Sequence, residues 1–397
     1  MADQDYSFDW AIAPQAPDVF LSDYFEQKPM VIRRDDPTYY SGLLTSSDID
    51  RVVSTMGLSA PEITVTQADK SIATADYAHD GGVIDPVRVA QLFADGATVI
   101  LSGLHERLPS LAQFCRAVEA VMSCQVQTNI YMTPARSQGF KAHYDAHDVL
   151  VLQVEGTKEW RIYDTPVELP LRTQRFDPET VAIGDQTDSF VLGPGDMAYI
   201  PRGLTHDAVS TDQLSLHITT GLMFRTWADV LFEAVNAVAH KDPALRRALP
   251  PGYANAGFDA ATQQARFDDL WTAIRDQAPL GKLMDGFRQE FLTGRVPRVS
   301  QQMTELAKLD EVHVTSVVGA RPHLIYDLTD LEDDGQVRVV CQGAEILLPD
   351  HAREPLAFAL STPSFRIADM PGDLDDAGKL VLVRRLVREG LMVVRRV

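Results

Sequence analysis

Two histidines and an aspartate are the residues of this chain best placed to do chemistry. His143 and Asp145 stand two apart in His143-Tyr144-Asp145, and His206 closes the run Gly195-Asp196-Met197-Ala198-Tyr199-Ile200-Pro201-Arg202-Gly203-Leu204-Thr205-His206. Two imidazoles and one carboxylate with open positions beside them are the ligand set of a non-haem iron(II) centre that handles dioxygen. Residues two apart in a strand share a face, so the spacing predicts that His143 and Asp145 grip one ion from the same side. The downstream run reads as turn, short strand, turn and ligand, which returns His206 from a neighbouring strand.

Three protein ligands leave room for a bidentate 2-oxo acid and for dioxygen. The distal carboxylate of such a co-substrate needs a cation. Lys158 follows the Glu155-Gly156 turn, on a strand expected to pair back against the ligand strand, where a compact ammonium can meet a carboxylate. Tyr131 and Thr219, both in strand-like runs, are the hydroxyls that would complete the cradle. Each of these residues alone also reads as an ordinary strand position; the His-x-Asp pair gains its meaning from the downstream run. His147 lies four residues beyond His143, too far along a strand to share the ion. His217 reads as a structural or pocket-lining histidine, and Asp148 has no assigned role.

The elements that must position these residues follow from hydrophobic period. Residues 1–225 form the first region. Within it, 97–101 reads as a buried strand, and 109–122 as a helix with Leu111, Phe114, Val118 and Val121 on one face. Short β-rich runs follow at 125–132, 149–154, 159–162, 189–192, 197–200 and 214–221, punctuated by glycine turns, which suggests a jelly roll or small barrel. The stretch from His206 to Ser215 reads as a short loop. In 226–318 the period turns helical: 228–240, 258–277 and 280–292, with Phe267, Leu270, Trp271 and Ile274 as one stripe. The last region, 319–397, combines a hairpin at 336–340 and 345–348 with helices at 354–360 and 375–389 and a terminal strand, an order that suits an α+β winged-helix module.

The chain has 397 residues, 45% of them apolar, enough for two or three domains with sizeable cores. Its 36 basic and 56 acidic residues leave a net charge of −20, which argues against a general nucleic-acid binder and is compatible with basic partners. From Asp330 to Val397 nine basic residues face twelve acidic ones, so the terminal module is not expected to bind DNA; Arg384, Arg385 and Arg388 read as a solvated helix face. Three cysteines without CxxC spacing suggest neither a zinc site nor a disulfide framework, and a cytoplasmic location is the simplest expectation. The acidic start Met1-Ala2-Asp3-Gln4-Asp5 is unlike a secretory signal, and no apolar run reaches membrane-spanning length, so no membrane partner is expected.

The residues from Asn129 to Phe140, those from His143 to Tyr163, and Ser215-Leu216-His217-Ile218-Thr219-Thr220 with Trp227 just after, together resemble the JmjC-type ribosomal oxygenases, cupin-fold 2-oxoglutarate hydroxylases of ribosomal proteins. The resemblance is specific over about 125–227 and weaker beyond. It implies a mainly β catalytic domain, a double-stranded β-helix or jelly roll, followed by a helical dimerisation segment and a winged-helix module. It implies Fe(II), 2-oxoglutarate and O2, with His143, Asp145 and His206 as iron ligands, Lys158 on the distal carboxylate, Tyr131 and Thr219 beside it, and Asn129 in the same pocket. It implies a homodimer whose substrate is a basic ribosomal protein. The Tyr131, Lys158 and Ser215-Leu216-His217 wording is similar to the histidine-modifying branch, whereas the acidic composition is similar to bacterial members, which can choose arginine. Three rival readings remain: a hydroxylase of a small-molecule amino acid or peptide, an N-methyl-lysine demethylase, and a non-enzymatic winged-helix regulator.

Overall fold

The computed structural model describes residues 6–331 and 335–396; the acidic start at 1–5 lies outside them. Two compact units divide the chain between Met223 and Phe224. The described residues of the first unit form ten strands: β1 (Met30–Ile32), β2 (Ile63–Thr66), β3 (Thr98–Ser102), β4 (Gln125–Thr133), β5 (Asp148–Glu155), β6 (Lys158–Ile162), β7 (Asp188–Leu192), β8 (Met197–Ile200), β9 (His206–Ser210) and β10 (Ser215–Met223). They form a seven-stranded antiparallel sheet in the order β1-β8-β5-β10-β4-β3-β2 and a three-stranded antiparallel sheet in the order β7-β6-β9.

The two sheets face each other, the jelly-roll arrangement that the short strands suggested. Val149, Val151, Ala198 and Ile200 from the large sheet close on Trp160 and Leu192 from the small one as a single buried cluster. This explains why β5 reads Asp-Val-Leu-Val-Leu-Gln-Val-Glu and is buried at every position but the last: both of its faces are covered, so its pattern is continuous rather than alternating. Gln153, the polar exception inside the sheet, donates to the Ser215 hydroxyl and to the Glu155 carbonyl, each at 2.9 Å.

Gly156 has φ +62°, and a Cβ there would lie 1.7 Å from the Leu214 carbonyl oxygen, so the turn demands glycine. That turn does not make the hairpin expected from the sequence. It carries the chain from the large sheet to the small one, where β6 pairs with β7 and β9 rather than with β5. The His206–Ser215 stretch is likewise not all loop, because its first five residues are β9. Short and partly polar, β9 has a weak strand pattern of its own, and its partner β6 supplies the ladder.

The described residues of this unit also form five α-helices: α1 (Phe8–Ile12), α2 (Pro17–Asp23), α3 (Ser46–Thr55), α4 (Pro86–Ala94) and α5 (Pro109–Met122). The α5 helix buries Leu111, Phe114 and Val118 as its period predicts, but Val121 is exposed and Met122 takes the inward position, as a 3.6-residue turn requires.

The second unit begins with α6 (Trp227–Lys241), α7 (Gln264–Gln277) and α8 (Leu280–Gly294). Thr226 and Asp229 cap α6 reciprocally. The helix expected from 258 starts later: Asp259 caps a short 3₁₀ turn at Ala260–Gln263, and α7 follows it. Beyond α9 (Gln302–Ala307) come β11 (Val317–Ala320), β12 (Asp327–Leu331), β13 (Gln336–Cys341), β14 (Ala344–Pro349), α10 (Arg353–Ser361), β15 (Phe365–Arg366), α11 (Asp376–Arg388) and β16 (Met392–Arg396). Strands β12, β13 and β14 make one small antiparallel sheet, and β15, β11 and β16 another. A shared core that includes Val318, Val337, Ile346, Leu356 and Leu386 binds both to α10 and α11. Arg385 and Arg388 are exposed, but Arg384 reaches the Val312 carbonyl at 3.0 Å, so one member of that arginine group is committed to packing. No helix among the described residues is long and apolar enough to cross a membrane, and Cys115, Cys124 and Cys341 are buried free thiols.

Candidate metal centre

His143 and His206 sit opposite one another in an isolated antiparallel bridge: His143 N–H donates to the His206 carbonyl at 3.1 Å, and His206 N–H to that of His143 at 2.8 Å. The sequence placed His143 and Asp145 in a strand. They lie instead in the irregular segment just before β5, anchored by this bridge and by Gly203 N–H donating to the Asp145 carbonyl at 3.0 Å. Gly203 has φ +88°, and a Cβ there would stand 2.2 Å from the Val167 carbonyl oxygen, so the Pro-Arg-Gly turn is built for a residue without a side chain. The turn thus does two jobs: it returns His206 and pins the backbone of Asp145.

The ligand atoms of His143, Asp145 and His206 all lie within 4.8 Å of one another, and His206 Nε2 is 3.8 Å from Asp145 Oδ2. Both rings are oriented by the same device. His143 Nδ1 lies 2.8 Å from the Lys141 carbonyl and His206 Nδ1 lies 3.0 Å from that of Leu204, each two residues upstream. A carbonyl only accepts, so each Nδ1 carries the proton and each Nε2 presents its lone pair to the common point. Burial, reinforced by His143, lowers the pKa of His206 and keeps it in the neutral form that a metal requires. The donor set therefore fits a divalent transition metal.

Beside the triad, between the sheets, lies a cavity of about 60 Å³ whose lining includes Lys158, Tyr131, Thr219 and all three ligand side chains. Lys158 is 4% exposed, and its Nζ donates to Thr133 Oγ1 at 3.1 Å. No carboxylate among the described residues pairs with it, and burial lowers its pKa to about 7. A buried ammonium short of a counter-charge is a fitting receptor for an anion. Tyr131 faces the same space, its hydroxyl pushed up by burial and then by the charge of Asp145. Thr219 sits in β10 directly across from Asn129 in β4; Thr219 lines the cavity and Asn129 does not.

Several residues in and around the cavity escaped the sequence reading; Trp160 and Thr98 line it, and Thr133 and Phe176 stand beside it. Trp160 lies two beyond Lys158 on β6, and Thr133 two beyond Tyr131 on β4; the two-residue strand period could have found both. Thr98, whose hydroxyl is 3.1 Å from that of Thr133, comes from β3, and nothing local announces it. The 163–187 connection brings Phe176 to 6.5 Å from the ring of His143, again without a local signal. Asp148, left without a role, accepts from the Tyr199 hydroxyl at 2.6 Å and from Arg202 at 2.8 Å inside the sheet, so its role is to hold the Pro-Arg-Gly turn in place.

Residues 104–230 match the family model described as JmjC domain. Over 357 residues the chain is 32% identical to Ribosomal oxygenase 2 of Rattus norvegicus, covering 84% of this chain and 75% of that one. Over 251 residues it is 31% identical to Bifunctional lysine-specific demethylase and histidyl-hydroxylase NO66 of Aedes aegypti, covering 61% of this chain. The chain spans only 39% of the length of that mosquito relative. Among solved structures, the ribosomal oxygenase YcfD from Escherichia coli in complex with cobalt and 2-oxoglutarate aligns with a TM-score of 0.56 at 15% identity, over 96% of this chain and 99% of that one. At that identity the likeness speaks for the fold.

Proposed function

The chain belongs to the ribosomal oxygenase family of JmjC-domain proteins, and on that premise we propose that it is an iron(II)- and 2-oxoglutarate-dependent dioxygenase that hydroxylates a protein side chain, a histidine or arginine of a basic ribosomal protein. One observation carries this reading: two Nε2 lone pairs and a carboxylate converge within 4.8 Å beside a buried lysine that has no carboxylate partner among the described residues. His143, Asp145 and His206 would hold Fe(II). Lys158 would hold the distal carboxylate of 2-oxoglutarate, with Tyr131 and Thr219 alongside and Asn129 supporting Thr219 from the facing strand. Once bound, iron and the 2-oxo acid supply the activation of O2 that inserts oxygen into a C–H bond, with succinate and carbon dioxide as co-products.

The protein's own contribution is placement and exclusion of water. The Lys141 and Leu204 carbonyls hold the two imidazoles in the required tautomer. Phe140, 42% exposed, stands edge-on to both Tyr131 and His143 at the rim of the cavity, where it would meet an incoming side chain. The net charge of −20 favours a cationic substrate segment.

In this reading the chain works as a cytoplasmic homodimer that joins through its helical segment, and the C-terminal part of the second unit is a winged-helix module that does not bind nucleic acid directly. Exposed Trp227 and Phe232 on α6 support a partner for the helices. The α10, α11 and β15-β11-β16 arrangement supports the module.

The test is to incubate the protein with Fe(II), 2-oxoglutarate and the ribosomal proteins of its host, and to read product masses. A gain of one oxygen on a histidine or arginine is expected. Loss of a methyl group from methyl-lysine would replace the reading with demethylation. Succinate formation stimulated only by free amino acids or small peptides would replace it with a small-molecule hydroxylase.

A further inference from the structure

The co-substrate cavity contains a histidine that neither the metal nor the lysine anchor uses. His217 lies in β10, directly across from Tyr131 in β4. It is 2% exposed, lines the cavity with Lys158 and the triad, and its Nδ1 is buried without a hydrogen-bond partner. Leaving a buried polar atom unmatched is costly, so such an atom calls for an explanation. The ring is nonetheless rigidly placed. It stacks face to face on Tyr131, with centroids 4.8 Å apart and planes within 1°, and meets Trp160 edge-on at 5.7 Å and 77°. Two aromatic walls thus fix its plane and leave its hydrogen-bonding capacity free.

We infer that His217 is a further co-substrate-binding residue, whose ring N–H donates to a carboxylate oxygen of the bound 2-oxo acid. The inference rests on the function proposed above. Burial, and then the nearby charge of Lys158, holds its imidazole well below the usual histidine range, so the ring offers one donor and one acceptor. Lys158 then supplies charge from β6 and His217 supplies direction from β10, on opposite sheets.

The experiment is calorimetric titration of 2-oxoglutarate into the full chain loaded with Zn(II), which cannot turn over. His217→Phe keeps the stack on Tyr131 and removes both nitrogens; His217→Gln restores an N–H. The expected result is about a tenfold or larger rise in Kd for His217→Phe, partial recovery in His217→Gln, and unchanged Zn(II) affinity in both. A folded His217→Phe that binds 2-oxoglutarate as the wild type does overturns the inference. Nitrogen-15 chemical shifts of the wild-type histidines provide a second measurement that needs no variant: His217 is expected to shift on addition of 2-oxoglutarate, and a static signal with the ligand bound overturns the inference. Wild-type protein that binds no 2-oxoglutarate at all removes the proposed function itself, an outcome distinct from both.

Discussion

The facing sheets of the first unit and the helices that open the second treat polarity in opposite ways. In the first unit, charged and polar groups are buried and held: Asp148 by Tyr199 and Arg202 on the far face of the large sheet, and, between the sheets, Lys158 by Thr133 and His206 by the Leu204 carbonyl. On α6 and α7, large apolar groups stand in solvent, with Trp227 71% and Phe232 69% exposed, and Phe267 and Trp271 also exposed. Among the described residues, Ala234, Val238 and Ile274 form the small buried cluster between those helices. The contrast teaches where each region's free energy is directed. The sheets hold polar groups in preset positions, and the helices leave apolar area uncovered.

The sharpest test of the first half of the comparison is Asp145→Ala, or His143→Ala. Either removes one of three metal donors, and turnover is expected to fall by about a thousandfold or more, since a bound metal supplies several kcal/mol of catalysis. Iron uptake measured beside the activity separates loss of metal from loss of fold. Lys158→Ala comes next. It takes away the cavity's cation, and 2-oxoglutarate affinity is expected to fall about a hundredfold with metal uptake retained. Unchanged affinity would show that the buried ammonium serves only the packing.

The second half is tested by Trp227→Lys with Phe232→Lys. Sedimentation of the wild type is expected to give a dimer and of the double variant a monomer. The monomer should still melt cooperatively, but below the wild type and without the wild type's dependence of Tm on protein concentration, because the partner's mass-action stabilisation is gone. A monomeric wild type at micromolar concentration would erase the contrast. Tyr199→Phe probes the buried network away from the ligands. Its hydroxyl donates to Asp148 at 2.6 Å and accepts from the Glu26 N–H at 2.9 Å, so chemical denaturation should report a loss of about 1–3 kcal/mol.

The smallest effect is a pH dependence. Burial depresses the Lys158 pKa from 10.5 to about 7, so the charged form prevails below that value and is lost as pH rises through it. Affinity for the anionic co-substrate should therefore decline above about pH 7, by at most about tenfold per pH unit. The other titratable groups lining that cavity are Tyr131, His217, the triad and Asp207. Burial raises the pKa of Tyr131 and keeps His217 neutral, so neither supplies a competing transition in that range. A flat affinity between pH 6 and 9 would place the lysine's titration elsewhere.

Much of the candidate site could be read along the chain because its spacing is local. His143 and Asp145 are two apart, Gly203 and His206 three apart, and each ligand histidine is oriented by a carbonyl two residues before it. The strands that carry Tyr131, Lys158 and Thr219 are apolar enough to show themselves by composition. Strand β9 was hidden because its five residues are mixed and owe their pairing to β6. The β5–β6 turn was misread as a hairpin because a glycine with positive φ serves equally well for a chain that leaves its sheet. The helical stripe of Phe267, Leu270, Trp271 and Ile274 is periodic, yet only Ile274 is buried; period alone says which residues share a face, not what covers it.

By itself the sequence determined the donor chemistry: two imidazoles, one carboxylate and one lysine, spaced so that strand and turn geometry could gather them. Only the tertiary structure decided that Lys158 would find no carboxylate partner among the described residues, that Thr98 and Thr133 would stand behind it, and that His217, with an unmatched nitrogen, would line the same cavity. The physical reason is that ligand identity and tautomer are set by bonds within a few residues, whereas burial and the absence of a partner depend on which strands, far apart in the chain, come to face each other across the two sheets.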